Sequence, residues 1–141
     1  MSMKKIYLAG PMDQVSAETM MGWRGLVADY LKPLIDDGMV KLLDPTRRPH
    51  QNTLTFKEIY NLDLMDVRNC DMILADTRYS PRETWGTSAE IFYASEILRK
   101  PVIGWKGSDP CGFRRVFLDV MVWKQFEDLQ EAVNHLQEQY I

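Results

Sequence analysis

Residues 70–100 read CDMILADTRYSPRETWGTSAEIFYASEILRK, and the way apolar and polar residues alternate along them decides the fold. Met72 to Ala75 is an unbroken apolar run, short and closed by polar residues, which is the pattern of a strand buried in a sheet. A polar loop follows, then a Gly86-Thr87-Ser88 turn, then a helical pattern over Ser88 to Leu98 whose first turn carries Glu90. A strand that passes through a loop into a helix presents that loop, and the start of the helix, at the open end of the sheet.

The loop supplies Asp76, Thr77, Ser80, Arg82 and Thr84, all able to hydrogen-bond a sugar or a phosphate, with Gly86 and Thr87 forming the turn beside them. Near a helix N-terminus the backbone dipole favours an ionised Glu90 at neutral pH. An ionised carboxylate there is a competent nucleophile. Taken alone, the stretch also fits the plain acidic residue that many helices carry in their first turn.

Upstream, Lys5 to Ala9 (KIYLA) is a second short apolar run, closed by Gly10-Pro11, and reads as a central strand. Ligands of open parallel sheets bind outside the carboxyl ends of the strands, so Tyr7 through Asp13, including Gly10, Pro11 and Met12, border the expected site. Ser16 to Leu34 predicts a helix capped by Ser16, with Trp23, Leu26, Val27, Tyr30, Leu31 and Leu34 at helical spacing. Arg24 on that helix is placed to reach the first loop and touch a ligand. Met39 to Leu43 predicts the second strand. In the rigid loop after it, Arg47 and Arg48 suit a phosphate clamp, because the guanidinium fork matches phosphate oxygens; a solvated loop charge is the other reading.

Thr55 to Asn69 predicts a helix that brings Asp63 and Asp66 to neighbouring positions. Beyond the central stretch, Lys100 to Trp105 predicts a fourth strand, Gly107 to Gly112 a turn and Arg114 to Leu118 a short helix. Val120 to Trp123 predicts a fifth strand, and Asp128 caps a final amphipathic helix through Leu136. The expected architecture is α/β: one domain over residues 1–141, a doubly wound parallel sheet of about five strands with helices on both faces.

Composition narrows the partners. With 141 residues, 45% hydrophobic and 26% charged, the chain is expected to be one soluble globular domain. A net charge of -3 and a pI near 5.4 provide no basic field for a nucleic acid polymer, which leaves a small molecule as the expected partner. Cys70 and Cys111 fit neither a metal-ligand nor a disulfide spacing, and His50 and His135 are isolated, so no metal is expected. Without a P-loop or dinucleotide glycine motif, no cofactor is expected either. No apolar run has membrane-spanning length and the N-terminus is too short for a signal peptide, so the expectation is a cytoplasmic protein with no membrane partner.

Three blocks, KKIYLAGPM, NLDLMDVRNCDMILAD and GTSAEIFYASEILRKPVIG, together resemble the nucleoside 2-deoxyribosyltransferase family, which includes nucleoside 5'-monophosphate N-glycosidases. The likeness is strongest from Asp63 to Gly104. It implies a small Rossmann-like, flavodoxin-like sheet and cleavage of the bond between a base and a pentose. By position it implies that Glu90 is the nucleophile, that Tyr7 orients it, and that Asp63 is the acid beside the departing base. It also implies a homodimer or higher homo-oligomer with shared sites, for which Phe92, Tyr93, Trp105, Phe113, Phe117 and Trp123 are candidate contacts.

The chemistry agrees with those residue types. Breaking an N-glycosidic bond builds positive charge on the sugar, which a carboxylate at C1' stabilises and traps, while a second acid protonates the base; retaining glycosidases hold two such carboxyls about 5 Å apart. Two departures concern the second half-reaction. Six residues before the nucleophile, where the family's transferases carry an acid and its monophosphate hydrolases a serine, stands Thr84. Where transferases often carry Asn-Leu-Met, this chain has Phe113-Arg114-Arg115-Val116. Both departures favour a 5'-phosphorylated substrate. Transfer of the sugar to another base is the first expectation, monophosphate hydrolysis the alternative, and a nucleotide-binding sensor without turnover the reading from a different class.

Overall fold

The five residues of β3 (Met72–Asp76) are all buried, and the sheet is laid out around them. The computed structural model describes residues 2–12, 16–49, 51–78, 85–108 and 116–141. β1 (Lys4–Ala9) and β4 (Val102–Trp105) flank β3, while β2 (Val40–Leu43) and β5 (Lys124–Phe126) lie at the edges. All four pairings are parallel and the order is β2-β1-β3-β4-β5. Tyr7 stands opposite Ile73 and Ala9 opposite Ala75.

Strand alternation sorts the side chains into two cores. Ile6, Leu8, Met72, Leu74 and Ile103 pack against Trp23, Val27 and Leu31 and against Leu129, Val133 and Leu136, which belong to α1 (Ala17–Tyr30), its C-cap, and α6 (Leu129–Tyr140). Tyr7, Ala9, Ile73, Ala75 and Val102 face the other way. They meet Val67 of α3 (Phe56–Asn69), Ile91 of α4 (Trp85–Phe92), and Leu118 and Met121 of α5 (Val116–Met121). The chain is thus the expected doubly wound α/β sheet, with Tyr7 turned toward α3 and α4.

Several boundaries differ from the sequence reading. The helix expected over Ser16 to Leu34 stops at Leu31 and restarts as α2 (Lys32–Asp36), because Pro33 has no N–H to continue α1 and sits instead in the first turn of a new helix. Gly38 then closes α2 at φ 74°, a conformation costly for other residues. Ser16 caps α1 by accepting from the Thr19 N–H, Asp128 caps α6 through Glu131, and Thr55 with Glu58 forms a reciprocal capping box on α3.

The fifth strand is not Val120 to Trp123. Leu118, Met121 and Val122 reach the core at helical spacing while Val120 is 74% exposed, and the first half of this apolar run, Val120 and Met121, belongs to α5. The strand is the polar tripeptide Lys124–Phe126 at the sheet edge. Its pairing begins where the Trp123 N–H donates to the Val102 carbonyl at 2.8 Å. α4 also starts earlier than Ser88, at Trp85, and runs into a π-helical turn over Tyr93–Ile97. Among the described residues no helix is long and apolar enough to cross a membrane.

Candidate active site

Tyr7 and Glu90 are 83 residues apart in sequence, yet the Tyr7 hydroxyl donates to Glu90 Oε2. β1 points Tyr7 into the layer that α3 and α4 cover, and α4 carries Glu90 back over the carboxyl ends of β1 and β3. This is the point at which strand order reverses, β1 connecting outward to β2 and β3 lying on its other side. Ile91 anchors the helix in the core beside Glu90. Thr87, one turn earlier, is buried and its Oγ1 has no hydrogen-bond partner among the described residues.

Glu90 does not have the electrostatics expected from sequence. Burial pushes its pKa up to about 8, and the nearby Asp63 adds to the rise; the Tyr7 bond, Arg24 and Arg48 oppose it. The helix dipole does not hold it ionised, because α4 begins at Trp85 and Glu90 falls in the second turn, where the field of the helix end has faded. With a pKa of about 8, only on the order of one Glu90 in ten is ionised at pH 7 in the free protein. Tyr7 is itself pushed well above the usual phenol range by burial and by Glu90 and Asp63, so it remains a neutral donor.

Asp63 is held from the loop after β2. Arg48 Nη1 donates to Asp63 Oδ1 and Arg48 Nη2 to Asp66 Oδ2, each at 2.9 Å, so one guanidinium spans two carboxylates three residues apart on α3. Burial raises the Asp63 pKa, and Arg48 counteracts part of that rise. Sequence reading placed Asp63 and Asp66 side by side but missed this fork; its available signal was the i, i+3 spacing of the two acids combined with a cation in the facing loop.

The other candidates separate into distinct places. Arg47 and Arg48 do not form one clamp: Arg47 is solvent-exposed and pairs with Asp44 Oδ2 at 3.2 Å, while both terminal nitrogens of Arg48 are engaged by Asp63 and Asp66. Arg24 reaches the first loop from behind. Its wholly enclosed guanidinium donates to the Leu8 and Gly10 carbonyls at 3.1 and 3.3 Å, so it braces the loop. Gly10 is packed against Trp23 and Asp76, where a Cβ would come within 2.9 Å of the indole.

Pro11 is buried and Met12 partly so. Asp76 lies on the α1 side of the sheet with both oxygens held by Arg78 at 2.9 Å, so it is not brought to the Tyr7–Glu90 pair. Thr77 is also engaged, donating to Gln125 Oε1 at 2.9 Å. Gly86 is exposed, whereas Ser80, Arg82, Thr84 and the segment Phe113-Arg114-Arg115 lie outside the described residues. Asp71 accepts from the Lys5 N–H at 2.8 Å, a bond that ties two strand starts together. Of two surface hollows, one of about 490 Å³ is lined by Leu26 and Tyr30 and one of about 700 Å³ by Arg24, Gly25, Ala28 and Arg47, and neither includes Tyr7, Asp63 or Glu90.

No family sequence model matches the chain, and no curated protein matches it by sequence. Solved structures do. The chain is similar to a 2-deoxyribosyltransferase from the psychrotolerant bacterium Bacillus psychrosaccharolyticus, at a TM-score of 0.68 and 22% identity, covering 92% of this chain and 90% of that one. A 2-desoxiribosyltransferase from Leishmania mexicana matches at 0.67 and 22% identity over 98% and 99% of the two chains. The CMP N-glycosidase BcmB from Clostridium botulinum matches at 0.59 and 16% identity over 96% and 98%. Over nearly its whole length, the chain therefore has the Rossmann-like α/β fold on which these deoxyribosyltransferases and this N-glycosidase are built.

Proposed function

We propose that the chain is an N-glycosidic bond-cleaving enzyme of the nucleoside 2-deoxyribosyltransferase type, with Glu90 as nucleophile, Tyr7 as its positioning donor and Asp63 as the acid. The observation that carries this reading is the Tyr7 hydroxyl bonded to Glu90, with Asp63 near enough to raise the Glu90 pKa. In the first half-reaction the ionised Glu90 attacks C1' of a (2'-deoxy)nucleoside. The C1'–N bond breaks, Asp63 gives the departing base its proton, and the sugar remains as an ester on Glu90. In the second, a different base attacks C1', passes its proton to Asp63 and releases the Glu90 carboxylate. Two displacements at C1' retain its configuration.

Transfer to a base is favoured over hydrolysis of a 5'-monophosphate because two of the four arginines that suggested a phosphate site are occupied, Arg47 by Asp44 and Arg48 by Asp63 and Asp66, while Arg114 and Arg115 lie outside the described residues. Hydrolysis is the second reading, favoured by Thr84 in the chain and by the likeness to a CMP N-glycosidase. We also propose a homo-oligomer that completes the site. Phe92, Phe117 and Trp123 are exposed large apolar groups on the α4–α5 side, Phe117 at 83%, whereas Tyr93 and Trp105 pack against the two cores.

The test is to incubate the protein with 2'-deoxynucleosides and with their 5'-monophosphates, with and without a free acceptor base, and to separate the products by chromatography. The proposal expects a new nucleoside only when acceptor is present, and a sugar adduct on Glu90 detectable by mass spectrometry. Free base without acceptor indicates the hydrolase. Neither product, with ligand still bound, indicates a sensor. Turnover retained in Glu90→Ala removes Glu90 from the nucleophile role.

A further inference from the structure

We propose that Arg48 is a positioning residue of this site: it fixes Asp63 by forking across Asp63 and Asp66, and it does not bind substrate phosphate. Its catalytic consequence rests on the N-glycosidic reading, and the rest stands on geometry.

The loop after β2 is built to deliver Arg48. Asp44 accepts from the Thr46 N–H at 2.9 Å and from Thr46 Oγ1 at 2.6 Å, which folds Pro45–Arg47 into a single 3₁₀ turn and leaves Arg48 extended at its end. From there the guanidinium reaches α3, where its side chain is 14% exposed and the Asp63 and Asp66 side chains 22% and 32%. Two carboxylates at i, i+3 on a half-buried helix face repel one another. A single planar fork that bonds each of them removes the repulsion and fixes the rotamer of both. A lysine has one charge centre and cannot span the two in this manner.

Asp63 Oδ1 is committed to Arg48, which aims the rest of its carboxyl group from a fixed direction. An acid that protonates a leaving base must be held near its target, since a misplacement of about 1 Å costs about 100-fold in rate. The charged and titratable groups around Asp63 come from every element packed on this side: Tyr7 from β1, Arg24 from α1, Arg48 from the loop, Asp66 from α3 and Glu90 from α4. Arg48 contacts Asp63 directly and also lowers the pKa of Glu90 through space, so removing it favours the protonated form of both acids.

The experiment compares wild type, Arg48→Met and Arg48→Lys by steady-state transfer kinetics across pH and by ¹³C NMR titration of the Asp63 side-chain carboxyl. In Arg48→Met, kcat is expected to fall on the order of 10- to 100-fold with KM little changed. The acid limb of the pH profile and the Asp63 titration should both move up by about one pH unit or more. Arg48→Lys is expected to restore the pH limb but not kcat, since it keeps the charge and loses the fork. It carries the test alone if the methionine variant does not fold.

A raised KM with unchanged kcat would make Arg48 a substrate contact, and full recovery of kcat by lysine would reduce its role to charge; either overturns the inference. So does an unmoved Asp63 titration. If wild type titrates as expected but turns over no nucleoside or nucleotide, the enzymatic reading fails, and with it the catalytic consequence, while the Asp63 shift in Arg48→Met still decides the geometric part.

Discussion

Replacing Tyr7 by Phe removes one hydroxyl from a buried ring and leaves the packing of the α3–α4 core as it is. Its effect falls on Glu90, which loses the donor that most strongly opposes the burial-driven rise of its pKa. A hydrogen bond to a charged group contributes about 1.5–3 kcal/mol. At about 1.4 kcal/mol per pKa unit that is a further rise of about one to two units. Starting from about 8, the group would titrate near 9 to 10, so at pH 7 the reactive carboxylate becomes about 10- to 100-fold scarcer.

The assay is kcat/KM for base exchange between pH 5 and 10, whose acid limb reports the ionisation of the free enzyme. Tyr7→Phe should lose about 10- to 100-fold at pH 7 and show its acid limb displaced upward by the same one to two units, so that the loss shrinks as pH rises along that limb. Equal loss at every pH, or an unmoved limb, would refute the reasoning, because Tyr7 would then act on something other than the charge state of Glu90.

The remaining predictions concern stability. A glutamate free in solution titrates near 4.5 whereas Glu90 in the folded protein titrates at about 8, so the fold holds this proton more tightly than the unfolded chain does. The resulting stabilisation is complete below about pH 4.5 and is lost as pH rises through 8. Glu90→Gln, which cannot ionise, should therefore unfold at about the same temperature as wild type near pH 4 and be more stable by an amount on the order of a few kcal/mol near pH 8, while losing activity. Equal stability of the two at pH 8 would show that Glu90 carries no buried-charge cost.

Gly104→Ala would place a Cβ 2.2 Å from Gln125 Oε1, displacing that side chain and breaking its bond to Thr77; urea denaturation should show a loss of about 1–3 kcal/mol. Lys100 Nζ donates to the carbonyls of Val67, Arg68 and Cys70 at the end of α3, so Lys100→Met should cost about 1–3 kcal/mol in the same measurement, and Lys100→Arg less.

Much of the fold was legible because its signals are local. Short apolar runs at Lys5–Ala9 and Met72–Ala75, separated by helical periodicity and by caps such as Ser16 and Asp128, leave little room for anything but an alternating α/β chain. The misread parts were those in which a local pattern fits two structures. Apolar spacing continued through Pro33, where the missing N–H breaks the helix. The run at Val120–Trp123 resembled a strand, while the true β5 is too polar to be marked by hydropathy. For the proposed site, the family resemblance singled out Tyr7, Asp63 and Glu90, but the separate engagements of Arg47, Arg48 and Asp76 were not legible.

The chain's own pattern of residues thus determined a parallel sheet wrapped by helices, since strand, helix and turn preferences act between near neighbours. Only the folded arrangement decided which acid would be desolvated, which hydroxyl would bond it and which arginine would be spent on a pair of aspartates. Those outcomes depend on burial and on distances between groups as far apart in sequence as Tyr7 and Glu90, quantities that exist only once the layers have closed on each other.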